Sequence, residues 1–192
     1  MLLLLAACEL GDAGPSPREV CDVERRQAVK AWQDVADYFG RVAAMREDDV
    51  LSAEVDAEEA TLQREAAVRS RNSWQKKRTT GLVDLRTGDE RKDPEAEKDL
   101  DELRRGAAWQ VEVRTDEEAN LVAAAMELRS AYEALIAQGE QAQAVVDALQ
   151  THPLDQAWHA SVKGAADLSD TELSAMARVA TDEAKAACAG VP

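Results

Sequence analysis

The chain has 192 residues, with 38 acidic side chains against 23 basic ones and a formal net charge of −15. This charge argues against a general nucleic-acid binder, because phosphate contacts need clustered Lys and Arg. The 37 alanines and the single isoleucine leave few of the β-branched and aromatic side chains that favour a sheet. Enough Leu, Val and Ala remain to form a core, so the composition predicts an acidic, mostly helical protein rather than a disordered one.

Helix-start signals recur along the chain. The stretch Ser16–Glu19 combines an N-cap serine, a proline at the first helical position and a capping-box glutamate. Similar starts are expected at Thr115 and Ser169, with a weaker one at Asp93, and His152–Pro153 marks a stop. Between these signals the apolar spacing follows the 3-4 rhythm of helices. In the last segment the apolar stripe comprises Leu173, Met176, Ala177, Ala180, Ala184 and Ala187.

These signals predict four helical segments, at 17–46, 49–80, 115–150 and 154–188, with a break near the charged run Arg46–Asp49. Four antiparallel helices of matched length form an up-down four-helix bundle with both termini at one end. The region at about 81–114 reads as a charged excursion, in which short strands at 82–87 and 109–114 can flank a helix at 94–106. The alternative is a long antiparallel coiled-coil hairpin. Either way the fold class is all-α, and residues 17–192 form one helical domain.

The first eight residues form a short apolar run that ends in a cysteine. Four leucines precede Ala6–Ala7–Cys8, an apolar run that is too short to span a bilayer. The stretch Leu5–Cys8 resembles the lipobox of bacterial lipoproteins, and no family is recognised for the folded domain behind it. The resemblance implies that residues 1–7 are the remnant of a signal peptide, that Cys8 is lipidated, and that residues 8–16 are a tether. Glu9 after the cysteine favours the outer membrane within that family.

The remaining cysteines, Cys21 and Cys188, make an even pair in an oxidising compartment. They flank the helical region, so a disulfide between them would close a loop of about 168 residues and stabilise by about 4 to 5 kcal/mol. The alternative is two buried, unconnected thiols that behave as small apolar residues.

Enzymatic and metal-site motifs are missing from the sequence. His152 and His159 are the only histidines, and Asp155 lies between them. Their place near a predicted helix start indicates surface residues. No zinc, haem, nucleotide or nucleophile-elbow pattern occurs, so we expect no cofactor, no metal and no catalysis.

One electrostatic anomaly interrupts the acidic chain. Residues 69–78 carry a local charge of +5 with a tryptophan in the middle, from Arg69, Arg71, Trp74, Lys76, Lys77 and Arg78. Cations at the end of a predicted helix complement its dipole. The alternative is a patch for an anionic partner, such as a phospholipid headgroup or an acidic protein.

The sequence therefore predicts a non-enzymatic bacterial lipoprotein that is anchored in the cell envelope through Cys8, faces the periplasm or exterior, and binds another envelope protein or plays a structural role. Two alternatives stay open: a helical envelope protein that binds a small ligand or metal, and a cytoplasmic coiled-coil adaptor with Cys8 unmodified. Partner identity and oligomeric state do not follow from the sequence.

Overall fold

A computed structural model describes residues 14–77, 82–83, 90–91, 93–151, 168 and 171–191. The all-α class is confirmed over these residues, apart from one small strand pair. Helix α1 spans Pro17–Lys76, α2 spans Pro94–Thr151 and α3 spans Glu172–Cys188. Strands β1 (Leu82–Val83) and β2 (Glu90–Arg91) lie between α1 and α2 and pair antiparallel, with Leu82 opposite Arg91 and Val83 opposite Glu90.

The first two helices begin where proline follows a capping side chain. At the start of α1, the Ser16 backbone N–H donates to Glu19 Oε2 at 2.7 Å, and the Glu19 N–H donates to Ser16 Oγ at 3.3 Å. At the start of α2, Asp93 Oδ1 accepts from the N–H groups of Glu95 and Ala96, at 3.0 and 3.4 Å. Both predicted starts are confirmed, and α2 ends at Thr151, just before the predicted stop.

The predicted break near Arg46–Asp49 is wrong, because α1 continues through it. The run has neither proline nor glycine, and Arg46 pairs with Asp49 across 3.5 Å on the exposed side of the helix. The predicted start at Thr115 is also wrong. Its hydroxyl donates to the Val111 carbonyl at 2.7 Å inside α2, so the helix does not need to end there. The described chain thus contains three helices where the sequence predicted four.

Two short strands are present within 81–114, but only the first lies in a predicted position. Leu82–Val83 is a strand, whereas 109–114 is helical and β1 pairs with Glu90–Arg91 instead. Six alternating residues therefore did not outweigh the helical pattern on both sides of them.

Helix α3 begins later than predicted. Its N-cap is Thr171, whose side chain accepts from the Ser174 N–H at 3.1 Å while the Thr171 N–H donates to Ser174 Oγ at 2.9 Å. A serine at the third helical position thus completes the capping box in place of the expected glutamate. The predicted N-cap, Ser169, and the earlier part of the predicted segment 154–188 lie outside the described residues.

The chain divides into two compact units, of which the first contains residues up to Ala43 and from Ala134 onward. Its core is formed by the N-terminal part of α1, the C-terminal part of α2 and α3, which all contribute buried apolar side chains. The core comprises Ala28, Trp32, Val35, Phe39, Ala142, Val145, Val146, Leu149, Leu168, Ala177 and Ala184.

The buried line of α3 differs from the predicted stripe. Met176 is 61% exposed, and Ser174 and Thr181 are buried instead. Both hydroxyls have hydrogen-bond partners. Ser174 Oγ accepts from the Thr171 N–H, and Thr181 Oγ1 donates to the Ala177 carbonyl at 2.6 Å and accepts from Trp32 Nε1 at 2.8 Å. The burial of a threonine is therefore explained by a tryptophan on another helix.

Cys21 and Cys188 form a disulfide that joins residues 167 apart, with 4.7 Å between the Cα atoms. The disulfide does not require the predicted break in α1. Within the first unit the end of α2 lies beside the start of α1, where Arg25 Nε donates to the Leu149 carbonyl. Helix α3 then brings Cys188 back along α1.

The second unit, Ala44–Glu133, contains the remaining parts of α1 and α2 and the strand pair. Two ion pairs link its helices: Arg64 Nε lies 2.6 Å from Glu118 Oε2, and Arg129 contacts Glu54. The hydrogen bond with Glu54 and a second one with Glu133 raise the pKa of Arg129. These pairs fix the antiparallel register of the two helices within this unit.

Candidate functional site

The second unit buries small side chains and exposes large ones. Among the residues that the structure describes, its buried apolar side chains are Val50, Ala57, Ala60 and Ala125. Its exposed large apolar side chains are Met45, Leu51, Val55, Leu62, Leu103, Trp109, Val113, Val122 and Met126. Alanine at the contact lets two helices approach closely but removes little apolar area from water. An exposed apolar surface of this kind is typical of an interaction site.

One groove on this unit is mainly apolar, and we call it the aromatic groove. It lies between α1 and α2 and has a volume of about 620 Å³. Trp74 and Trp109 lie along it with Leu103, and Trp109 is 58% exposed. Gly106 deepens the groove on the α2 side, since nothing lies within 4 Å of where its Cβ would be. The other lining residues are Ala66, Ala67, Ser70, Glu102, Ala107 and Gln110.

A second groove of about 310 Å³ is polar, and we call it the acidic groove. The carboxylates of Asp56, Glu59 and Glu117 line it together with Gln63. Glu59 accepts from Gln63 Nε2 at 3.0 Å, and Glu117 is paired with Arg114. The remaining lining residues are Ala60 and Leu121.

The two grooves are successive stretches of one flank of the helix pair. On α1 the lining residues Glu59, Gln63, Ala66 and Ser70 follow one another at intervals of four, three and four residues, which places them on one side of a helix. On α2 the spacing of Gly106, Gln110, Glu117 and Leu121 has the same effect. A ligand lying along this flank would therefore meet carboxylates at one end and aromatic rings at the other.

Arg104 of α2 holds the end of α1 at the aromatic groove. Its guanidinium donates to the Lys77 carbonyl at 2.8 Å and to the Trp74 carbonyl at 3.4 Å. The Trp74 carbonyl is in the last turn of α1 and also accepts from the Lys77 N–H at 3.2 Å, and Lys77 directly follows the helix. Lys77 Nζ lies over the Trp74 ring, 3.5 Å from its centroid, and this cation–π contact orients the indole.

The predicted basic cluster does not form one continuous patch in the part of the chain that the structure describes. Arg69 and Lys76 are seven residues apart and share a face of α1, and Arg69 is paired with Glu65 at 3.4 Å. Arg71 is about 200° around the helix from Arg69. Its Nε is buried and has no hydrogen-bond partner among the described residues. Arg78 lies outside those residues, and binding of an anionic partner stays a prediction.

The other predicted site residues fall into two groups. The pair Cys21 and Cys188 is brought together in the disulfide. The remaining predicted residues lie outside the described part of the chain, namely Cys8, His152, Asp155 and His159. Among the described residues, no group of three or more potential ligands is placed to hold a metal ion.

Trp109 and Leu103 are the groove residues that the sequence reasoning missed. The alternation at 109–114 placed Trp109 on a predicted strand. A helical interpretation of 94–120 would have put Leu103, Gly106 and Gln110 on one side at 3-4 spacing. The contact between Arg104 and the end of α1 leaves no such signal, because its partners are 27 and 30 residues away.

No helix among the described residues is both long and apolar enough to be a candidate membrane span. The chain matches no protein-family model, no curated protein and no solved structure. Its function is therefore argued from the chemistry of its own residues.

Proposed function

We propose that this chain is a non-enzymatic bacterial lipoprotein of the cell envelope, whose second unit binds a protein partner along the flank that contains the two grooves. The observation that carries the binding role is the inverted burial of that unit, with alanines at the helix contact and Trp109 and Leu103 exposed at the aromatic groove. Apolar area left in water at an aromatic-lined groove is removed by a binding partner, and such anchors dominate interface energies.

The compartment is supported by two independent cysteine features. The Leu5–Cys8 stretch resembles a lipobox, and the Cys21–Cys188 disulfide requires an oxidising environment in most organisms. Two or more acyl chains give a stable anchor, whereas one gives only marginal binding. With Glu9 after the lipidated cysteine, we place the protein in the outer membrane, tethered through residues 8–16 and facing the periplasm or exterior.

Site-directed photo-crosslinking in the native host tests the binding role. A photoreactive amino acid at position 109 is expected to give one defined protein adduct on membranes. The same amino acid at position 126 is the matched control, because Met126 is 69% exposed and lines neither groove. Equal adducts at both positions, or none at position 109, would overturn the proposed binding surface.

Intact-mass spectrometry of protein from the same membranes tests the compartment. The expected species begins at an acylated Cys8 and lacks two hydrogens because of the disulfide. An unprocessed chain with free thiols would instead support the cytoplasmic coiled-coil adaptor.

A further inference from the structure

We infer that the partner presents a cationic amphipathic helix, which lies along the acidic groove and the aromatic groove of the second unit. This inference rests on the proposed function and specifies the chemistry of its partner. A helix fits because the flank is itself built by two helices and runs along them. From Asp56 to Trp74 it extends for about 27 Å, the length of a helix of about 18 residues.

Charge selects the sign of that helix. Residues 47–65 of α1 carry eight acidic side chains and one basic one. The single base, Arg64, is paired with Glu118. Three of the acids, Asp49, Glu54 and Glu65, are paired with Arg46, Arg129 and Arg69. Asp56 of the acidic groove has no ion pair among the described residues. Lys or Arg on the incoming helix would meet this excess of carboxylates.

The aromatic groove supplies the apolar part of the interaction. Trp109 and Leu103 present exposed surface beside Ala66 and Ala67, whose small side chains leave room for large apolar residues of a second helix. The exposed indole of Trp109 also accepts an arginine by stacking. A helix whose Leu residues lie over the aromatic groove, and whose Lys or Arg residues lie over Asp56, Glu59 and Glu117, therefore matches the two stretches of the flank.

A second copy of this chain is the other occupant that the test must distinguish. A two-fold axis along the helices would oppose the carboxylates of the two copies, whereas an axis across them would place the acidic groove of one copy against the aromatic groove of the other.

The test uses the purified full chain with its disulfide formed. The probe is a fluorescein-labelled synthetic helix of about 18 residues, the length that the flank accommodates, with Leu in one half of its binding face and Lys in the other. Binding is measured by fluorescence anisotropy and compared with a charge-reversed probe that has Glu in place of Lys. The cationic probe is expected to bind, with an affinity that falls as salt is raised, and the acidic probe is not.

Two variants locate that binding. The triple variant Asp56→Asn, Glu59→Gln and Glu117→Gln is expected to bind the cationic probe about tenfold more weakly. Its matched control removes the same charges outside both grooves, through Asp99→Asn, Glu112→Gln and Glu127→Gln, and is expected to bind nearly as the native chain does. Trp109→Ala is expected to cost about tenfold, and Met126→Ala close to nothing.

The inference is overturned by equal loss in the two triple variants, by equal binding of both probes, or by an unchanged affinity in Trp109→Ala. A chain that dimerises alone, and loses this through Trp109→Ala, would identify a second copy as the occupant. If position 109 crosslinks to a protein in membranes but the cationic probe does not bind, only the inference fails. If no crosslink forms there, the proposed function itself fails.

Discussion

The hydrogen bond between Trp32 and Thr181 joins two buried side chains of the first unit. Thr181 is 2% exposed and Trp32 is fully buried, so neither the indole N–H nor the hydroxyl can turn to water. A buried donor without a partner loses the hydration that it has in the unfolded chain. This single polar contact therefore constrains how α3 lies against α1.

Thr181→Val tests that contact, since it keeps the shape and removes the hydroxyl. We expect the free energy of unfolding to fall by about 1 to 3 kcal/mol, because Trp32 Nε1 then has no acceptor. Urea denaturation followed by circular dichroism measures it. The control is Thr115→Val, where the hydroxyl is exposed and donates only to Val111 of its own helix. Equal losses in the two variants would show that the tryptophan contact adds nothing.

The capping box at the start of α1 changes the pKa of its glutamate, Glu19. The backbone N–H and the hydroxyl of Ser16 both bond to the Glu19 carboxylate, and they lower the pKa of Glu19 below its ordinary value of 4.5. Because the pKa is lower in the folded state, this stabilising contribution is complete above the unfolded-state pKa. It is lost as the pH falls through the folded-state value.

We expect Ser16→Ala to raise the pKa of Glu19 towards 4.5, because the hydroxyl bond is removed while the backbone bond remains. An NMR titration of the Glu19 side-chain carboxyl carbon measures it. Glu24, which has no part in this cap, provides the internal reference. A pKa that stays unchanged would contradict the assigned role of the hydroxyl.

At the scale of elements, proline separates the correct boundaries from the wrong ones. Pro17 and Pro94 stand at helix starts because a proline ring clashes with the preceding turn inside a helix. The stretch Thr115–Glu118 has the same capping-box pattern without proline, and a helix can run through it. The Thr115 hydroxyl simply donates to the previous turn. A capping box therefore allows a helix to begin at that point, whereas only a proline prevents an existing helix from continuing through it.

For a related reason, the sequence predicts only some features of the two grooves. Local spacing shows which side chains of one helix share a side, so the apolar stripes were largely visible. The partners across helices were not, because Arg64 meets Glu118 and Arg104 meets Lys77 only once the register is set. That register depends on where each helix begins. Because extra breaks were predicted in α1 and α2, the register could not be predicted.

Gly40 lies inside α1, and nothing lies within 4 Å of where its Cβ would be. Gly40→Ala is therefore expected to raise the free energy of unfolding by about 1 kcal/mol through helix propensity. Thermal unfolding measures it. Gly139→Ala in α2 is the matched comparison, since its Cβ would also make ordinary van der Waals contacts, with Phe39 Cβ at 3.6 Å and the Ala36 carbonyl at 3.8 Å. No gain in Gly40→Ala would contradict this account.

At the scale of the whole molecule, the two units differ in how they use apolar side chains. The first unit buries a tryptophan, a phenylalanine and several valines and leucines, whereas the second buries mainly alanine. Stability is therefore expected to reside mainly in the first unit, where the disulfide also lies. The second unit leaves most of its large apolar side chains exposed, which is the feature on which the proposed binding role depends.

Replacing both disulfide cysteines, through Cys21→Ala and Cys188→Ala, tests the contribution of the bridge. We expect a loss of about 4 to 5 kcal/mol, since the bridge closes a loop of more than 100 residues in the unfolded chain. Guanidinium unfolding of the double variant against the oxidised native chain measures it. The reduced native chain is the control and should behave as the double variant does. A loss below about 1 kcal/mol would contradict the loop-closure account.

The bridge also determines what a protease can release. Because it joins residues 21 and 188, almost the whole folded sequence lies inside one covalent ring. A single cut anywhere within that ring opens it but frees no fragment, because the disulfide still joins the two pieces, so the mass changes only by one water. The two pieces would separate on a gel only after a reductant is added. Under the proposed acylation of Cys8, a nicked copy would thus keep its C-terminal piece attached to the membrane.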